Sequence, residues 1–175
     1  MSRNTSALQL LAPYSFFNAM ATNPPVVAFG TSLRPRAAAR KDSHANIEAT
    51  GEFVVNLATE ALKDQMNASS ASLPAGDDEF SFAGLAAAPS RLVSPPRVAA
   101  SPVAFECRYL STVELPCDTP GRANFAVFGQ IVGIHIDDSL VVDGRVDILR
   151  CRPLARLGYM DYTVVDNVFS IDRPG

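Results

Sequence analysis

Residues 23–30, Asn-Pro-Pro-Val-Val-Ala-Phe-Gly, form a short apolar run that begins after two prolines and ends at a glycine. Proline is tolerated at the start of a β-strand, where no donor to the sheet is required, and the apolar residues after it indicate a buried strand. Residues 52–57, Glu-Phe-Val-Val-Asn-Leu, predict a second strand of the same kind. With 13 prolines and 10 glycines in 175 residues, the chain is expected to contain many turns and is not a helical bundle.

Short helices are expected between the strands. Asp42 or Ser43 can cap the N-terminus of the first helix, and Gly51 can adopt the left-handed conformation just past its end. A second helix is predicted from Thr59 to about Ala68, and a helical turn is predicted between residues 78 and 85.

Two long strands follow in the second half of the chain. From residue 103 towards residue 115, apolar residues alternate with others, which is typical of a half-buried strand. Residues 125–136 form a second long run that contains Gly129 and Gly133. Glycine within a strand often marks a bend or a bulge, as needed where a sheet curls into a barrel.

A hairpin is expected at the C-terminus, with strands at residues 159–165 and 169–171 joined by a tight turn at Asp166-Asn167. The whole pattern predicts a mainly β fold with short helices: one domain over residues 1–175, built as a closed or nearly closed β-barrel.

Composition narrows the class of protein. Hydrophobic residues make up 47% of the chain and charged residues 19%, which excludes a disordered chain. A net charge of -3 argues against a nucleic-acid partner. No apolar run is long enough to cross a membrane, and residues 1–7 lack the apolar stretch of a secretory signal. Three cysteines without metal-ligand spacing fit a reducing cytoplasm: Cys107, Cys117 and Cys151.

The residues themselves suggest no catalytic group. The sequence contains no GxSxG, P-loop, GxGxxG or HExxH motif, and it has only two histidines. We expect His44 on a solvated helix face, His135 in the core or in an interface, and Cys107 as a small buried hydrophobe. We therefore predict neither a catalytic side chain nor a metal site.

Several short segments follow one another along the chain: Leu11–Ala19, Asn23–Val27, Arg40–Ser43 with Asn46-Ile47, Thr50–Asn56, Asp78–Phe80, Ala83–Leu85, Ser101–Val103, Glu106-Cys107, His135, Asp143–Asp147, Arg156–Gly158 and Asp161-Tyr162. As an ordered set they resemble the flavin-reductase-like family with the FMN-binding split-barrel fold. The usual pattern of that family has an APYSFF segment, a strand led by two prolines, a Lys-Asp-Ser/Thr helix start and a TGEFVVN strand. The similarity covers nearly the whole chain.

The resemblance implies an oxidoreductase that binds FMN non-covalently. A nicotinamide nucleotide, NADH or NADPH, would deliver hydride to the flavin N5, and the electrons would pass to a free flavin, an oxygenase component or another acceptor. The resemblance also implies a homodimer with FMN near the subunit interface. The residues that it assigns to cofactor binding are Ser15, Phe16, Phe17, Asn18, Thr31, Arg40, Lys41 and Ser43.

Each of these assignments has a simpler alternative. Arg40 and Lys41 could be solvated charges and Ser43 only a helix cap, although an anion at a helix N-terminus beside cations is favourable. At least one of Phe16 and Phe17 is expected to pack in the core. For the chain as a whole, the alternatives are a non-enzymatic FMN-binding or electron-carrier protein and a split barrel that binds another small ligand.

The sequence departs from the family pattern in two places. Family members have a further strand before the APYS segment, whereas here only eleven residues precede Ala12 and residues 1–6 look like the loop after that strand. We therefore expect that this first strand is missing or lies upstream, and that barrel closure depends on it. Second, Gly30-Thr31 stands where serines are usual, and a backbone amide contact can survive that change.

Overall fold

The computed structural model describes residues 10–33, 40–71, 73 and 78–175. Its centre is an antiparallel sheet of five strands: β1 (Phe17–Thr22), β2 (Pro25–Ser32), β3 (Glu52–Asn56), β6 (Val103–Leu115) and β7 (Asn124–Ile136). Their order across the sheet is β1-β2-β7-β6-β3. The predicted mainly β fold is confirmed.

Strand β2 has the alternation that its sequence predicts. Val27, Phe29 and Thr31 are buried, and the residues between them are partly exposed. The buried apolar side chains join those of helix α1 (Asp42–Thr50), β3, β6 and β7 in one core made of Val27, Phe29, Ile47, Phe53, Cys107 and Val127. Cys107 is completely buried, as predicted, and burial raises the pKa of its thiol to about 12.

The long β6–β7 hairpin contains the irregularities that its glycines predict. The register shifts between Glu106 and Cys107, opposite Gly133, and again between Tyr109 and Ser111, next to the Tyr109–Gly129 pair. At Gly129 an added Cβ would lie 2.3 Å from the Phe53 ring. Only glycine at position 129 therefore leaves room for the Phe53 ring to pack against this strand.

Helix α1 (Asp42–Thr50) ends where predicted but begins differently. Gly51 adopts φ +73° and closes the helix with a hydrogen bond to the Ile47 carbonyl. The N-cap position belongs to Lys41, without a capping side chain, so the expected cap at Asp42 or Ser43 is wrong. The Ser43 hydroxyl is taken by a tertiary contact, as described below.

Shorter elements complete the chain. The predicted helix after Thr59 is a 3-10 turn (Glu60–Leu62) followed by α2 (Lys63–Ala68), and Asp78 caps α3 (Glu79–Phe82). The remaining short elements are β4 (Ala87–Ala88), β5 (Arg97–Val98), a 3-10 turn (Asp138–Leu140), β8 (Val141–Val142), β9 (Arg145–Val146) and α4 (Ile148–Cys151). None of the described helices is long and apolar enough to span a membrane.

The C-terminal hairpin differs from the prediction. Strand β10 (Leu154–Gly158) pairs with β11 (Asp161–Val164), whereas residues 169–171 belong to no strand, so the expected turn at Asp166-Asn167 is wrong. The turn instead begins at Gly158, the last residue of β10, and continues through Tyr159; these two residues adopt φ values of +137° and +46°. Positive φ at two successive residues reverses the chain there, and periodicity alone could not indicate which pair of segments would meet.

Residues 1–9 lie outside the described part of the chain, so the expectation of a missing or upstream first strand stays a prediction, as does the single domain over residues 1–175. In the sheet, β1 and β3 are the two edge strands. Both contribute residues to the open cleft described next.

Candidate functional site

Polar side chains from three parts of the chain meet where β2 ends and α1 begins. The Tyr14 hydroxyl hydrogen-bonds with the Ser43 hydroxyl, and the Lys41 ammonium lies 5.6 Å from the centre of the Tyr14 ring. Thr31, near the end of β2, lies beside the same tyrosine. We call Tyr14, Thr31, Lys41 and Ser43 the polar cluster.

Thr31 is the unusual member of the polar cluster. It is only 8% exposed, and its hydroxyl makes no well-formed hydrogen bond to any described residue. It is nevertheless near enough to the Tyr14 hydroxyl to lower the pKa of that group. Burial of Tyr14 outweighs this effect and that of Ser43, and the pKa of its phenol is raised above the ordinary value. Tyr14 is therefore neutral at pH 7, and the Thr31 hydroxyl is a buried polar group without a well-formed hydrogen bond among the described residues.

The two basic residues at the start of α1 have different surroundings. Arg40 pairs with the carboxylate of Glu48, and its guanidinium lies 5.5 Å from the centre of the Phe125 ring. Lys41 has no carboxylate partner among the residues that the structure describes. Of the two, Lys41 is the cation whose charge is uncompensated.

His44 is fully buried, so its expected place on an exposed helix face is wrong. Its Nε2 lies 3.3 Å from the Thr112 hydroxyl and 3.3 Å from a Glu48 carboxylate oxygen, and its Nδ1 has no partner among the described residues. Burial lowers the pKa of the imidazole, although Glu48 acts in the opposite direction. The spacing of His44 and Ile47 on one side of α1 was the signal that could have predicted this burial.

The Ser15–Asn18 segment runs along the surface beside the polar cluster. Phe16 is 83% exposed and Phe17 39% exposed, so the expectation that one of them packs in the core is wrong. The Phe16 carbonyl accepts a hydrogen bond of 2.7 Å from the Gly30 amide, and the Phe16 ring covers Gly30. Asn18 is exposed, and its side-chain oxygen accepts a hydrogen bond of 3.0 Å from the Ala19 amide.

A cleft of about 920 Å³ opens next to this segment. Its walls are residues 10–15, one side of α1, strand β3, the loop at residues 94–96 and the β10–β11 hairpin. Ser15, Phe17 and Ser43 line the cleft, whereas the other five predicted site residues do not: Phe16, Asn18, Thr31, Arg40 and Lys41. The structure thus brings Thr31, Lys41 and Ser43 together around Tyr14 and directs Arg40 to Glu48.

The loop on the cleft wall is held by acceptors from the sheet. Glu106, completely buried on β6, accepts hydrogen bonds from the backbone amides of residues 91, 92 and 93. From β3, Glu52 accepts from the Ser94 amide and Asn56 from the Val98 amide, each at 2.8 Å. Alternation in the sequence did not predict a buried carboxylate at position 106.

Comparison with known proteins places the chain in a family. The profile described as "Flavin reductase like domain" matches residues 2–163. An uncharacterised protein of Deinococcus radiodurans is 38% identical over 167 residues, which are 93% of this chain and 70% of that protein. An uncharacterised protein of Halalkalibacterium halodurans is 32% identical over 163 residues, with coverage of 93% and 78%.

Solved structures agree with the fold. Nitrilotriacetate monooxygenase component B from Bacillus cereus superposes with a TM-score of 0.85 at 29% identity, over 91% of this chain and 78% of that one. The 2-nitrobenzoate 2-nitroreductase NbaA of Pseudomonas fluorescens gives 0.81 at 26% identity, with coverage of 98% and 80%. A flavin reductase with a split-barrel domain from Shewanella frigidimarina gives 0.83 at 21% identity, with coverage of 98% and 82%. The expected split-barrel fold is confirmed.

Proposed function

Because this chain belongs to the flavin reductase-like family, we propose that it is an FMN-binding oxidoreductase that takes hydride from a nicotinamide nucleotide, NADH or NADPH, and passes electrons to an acceptor. The family and its flavin-related relatives support a flavin-related oxidoreductase. The observation that carries the finer proposal is the polar cluster beside the N-terminus of α1. Its cation has no carboxylate partner, and its buried Thr31 hydroxyl no well-formed hydrogen bond, among the residues that the structure describes.

In this proposal the polar cluster holds the FMN phosphate. Lys41 supplies the charge, and the hydroxyls of Thr31 and Ser43 supply hydrogen bonds. The N-terminal amides of α1 add the favourable end of the helix dipole. A phosphate, which offers several acceptor oxygens, matches this set of donors.

The flavin ring would lie against the Ser15–Asn18 segment. Phe16 and Phe17 offer exposed aromatic surface there, and Ser15 and Asn18 offer polar groups at its edges. Bound FMN supplies the redox chemistry, while the protein binds it, orients it and controls the access of water. Tyr14, whose phenol is neutral at pH 7 and has its pKa raised further by burial, would orient the Ser43 hydroxyl.

We propose two kinds of acceptor, free flavin and an oxygenase component. The likeness to nitrilotriacetate monooxygenase component B supports the second. We also propose a homodimer, because many large apolar side chains are exposed on β1, β6, β7 and the tip of the C-terminal hairpin: Phe17, Met20, Leu110, Val113, Ile134, Leu157, Tyr159 and Met160.

The test begins with purified protein mixed with FMN and freed of excess ligand by gel filtration. A retained flavin absorption band supports FMN binding, and its loss rejects it in favour of a split barrel with another ligand. Anaerobic addition of NADH or NADPH should then bleach the band. Sustained nucleotide oxidation with excess free flavin indicates an enzyme, whereas a bound flavin that neither nucleotide reduces indicates a non-enzymatic FMN-binding or carrier protein.

A further inference from the structure

The C-terminal hairpin presents one arginine to the cleft in a fixed orientation. Arg156 pairs with Tyr162 across the hairpin, and the register shifts immediately afterwards, between Arg156 and Gly158. Tyr159, with a φ of +46°, turns its carbonyl back towards the Arg156 guanidinium. A bulge of this kind can redirect a side chain, and here it accompanies an arginine held by its own hairpin.

Arg156 is preorganised but electrically uncompensated. Its Nη1 donates a hydrogen bond of 3.0 Å to the Tyr162 hydroxyl, and its Nη2 donates to the Tyr159 carbonyl. The guanidinium carbon lies 5.3 Å from the centre of the Tyr162 ring. No carboxylate pairs with it within the described ranges. Of about five N–H donors on a guanidinium, only two are used here.

Few charged residues line the cleft. Among the described residues, its charged lining residues are Arg156 and Glu52, and most of the others are apolar or small polar residues. Glu52 already accepts a hydrogen bond from the Ser94 amide. Arg156 is thus the cation that an anionic ligand entering the cleft would meet away from the polar cluster.

We propose that Arg156 and Tyr162 form a binding site for the phosphate groups of the nicotinamide nucleotide. The planar fork of arginine matches phosphate oxygens in pairs, and the tyrosine ring next to it offers a surface for a nucleobase. This inference rests on the proposed function, in which the polar cluster holds the flavin phosphate and leaves Arg156 to the second substrate. Arg156 and Tyr162 line the cleft, whereas the proposed dimer surface uses the hairpin tip.

The test uses ADP-ribose, which carries the phosphates and adenine of the nucleotide but cannot react. Calorimetric titration should be made with wild type, Arg156→Ala, Arg156→Lys and Tyr162→Phe, each with and without FMN. Arg150→Ala is the matched control, because Arg150 is exposed, pairs with Asp147 and does not line the cleft.

We expect Arg156→Ala to weaken ADP-ribose binding roughly ten- to a hundredfold, while its FMN affinity and melting temperature stay near those of wild type. Arg156→Lys should also be weaker, because it keeps the charge but loses the fork, and Arg150→Ala should bind normally. ADP-ribose binding is also measured without FMN. A protein that fails to bind FMN would therefore reject the proposed function independently of the result for Arg156.

Three outcomes would overturn the inference: no binding of ADP-ribose by wild type, unchanged binding by Arg156→Ala, or an equal loss of FMN and ADP-ribose in that variant. Benzoate provides a further arm. If benzoate binds in an Arg156-dependent manner and ADP-ribose does not, the site takes the carboxylate of an aromatic acceptor, and the nucleotide assignment is wrong.

Discussion

The imidazole Nε2 of His135, on β7, contacts the fully buried carboxylate of Glu106, on β6. Burial alone would raise the pKa of this carboxyl group, but hydrogen bonds from His135 and from the amides of Arg91 and Leu92 outweigh it and hold the pKa at about 2. The carboxylate therefore fastens the loop on the cleft wall to the sheet.

This contact predicts how stability depends on pH. The folded pKa of Glu106 lies below its ordinary value of 4.5. The ionised carboxylate therefore contributes fully to the free energy of unfolding above pH 4.5, and this contribution is lost as the pH falls towards 2. The pKa shift corresponds to a stabilisation of about 3 kcal/mol. Urea unfolding of wild type and Glu106→Gln should show a large difference at pH 7 that shrinks below pH 4.5. Glu114→Gln, exposed on the same strand, is the control, and a difference that does not vary with pH would contradict this account.

Gly129 is expected to tolerate no side chain. Its added Cβ would lie 2.3 Å from the Phe53 ring, within the core, so Gly129→Ala should destabilise the protein by about 1–3 kcal/mol or more. Gly133→Ala should cost less, because the nearest atom to its Cβ would be the end of the Leu92 side chain at 3.1 Å, and the Glu106 atoms at 3.5 and 3.6 Å lie at ordinary contact distance. Thermal unfolding of both variants checks the order. Phe53→Leu in the Gly129→Ala background should recover part of the loss.

Lys41 is expected to bind the FMN phosphate. Removing one charge-assisted contact costs on the order of 1.5–3 kcal/mol, or roughly ten- to a hundredfold in affinity. Lys41→Ala should therefore weaken FMN binding but leave riboflavin binding nearly unchanged, since riboflavin has no phosphate. Fluorescence titration measures both, with Lys63→Ala as the control because it is the only other lysine. Equal effects on the two ligands, or none, would mean that Lys41 is a solvated charge.

The chain is expected to form a homodimer through its barrel strands and the Arg156–Tyr162 region, in which the exposed tip residues Leu157, Tyr159 and Met160 make the contact while Arg156 and Tyr162 line the cleft. β1 is exposed along its whole length, and Tyr159 and Met160 at the hairpin tip are 94% and 85% exposed. Light scattering at micromolar concentration and moderate salt should give twice the monomer mass. Met160→Asp should shift the mass towards the monomer without unfolding it. A monomer mass for wild type would rule this interface out.

The sequence by itself determined the features that depend on near neighbours. Gly51 ends α1 because a left-handed residue is needed there, and alternation from residue 103 to 115 marks β6, since neighbouring side chains in a strand point to opposite faces. The ordered motifs identified the family and its fold. Of the predicted site, Thr31, Lys41 and Ser43 do come together, because they flank the short connection from β2 to α1.

Only the tertiary structure decided the features that depend on distant partners. His44 is buried because it contacts Thr112, 68 positions further along the chain, and Glu106 is buried because its loop supplies three amides. Likewise, β10 rather than the last residues of the chain pairs with β11. A charge or a polar group can be buried only when specific partners compensate for its loss of water, and local periodicity carries no information about which distant residues will provide them.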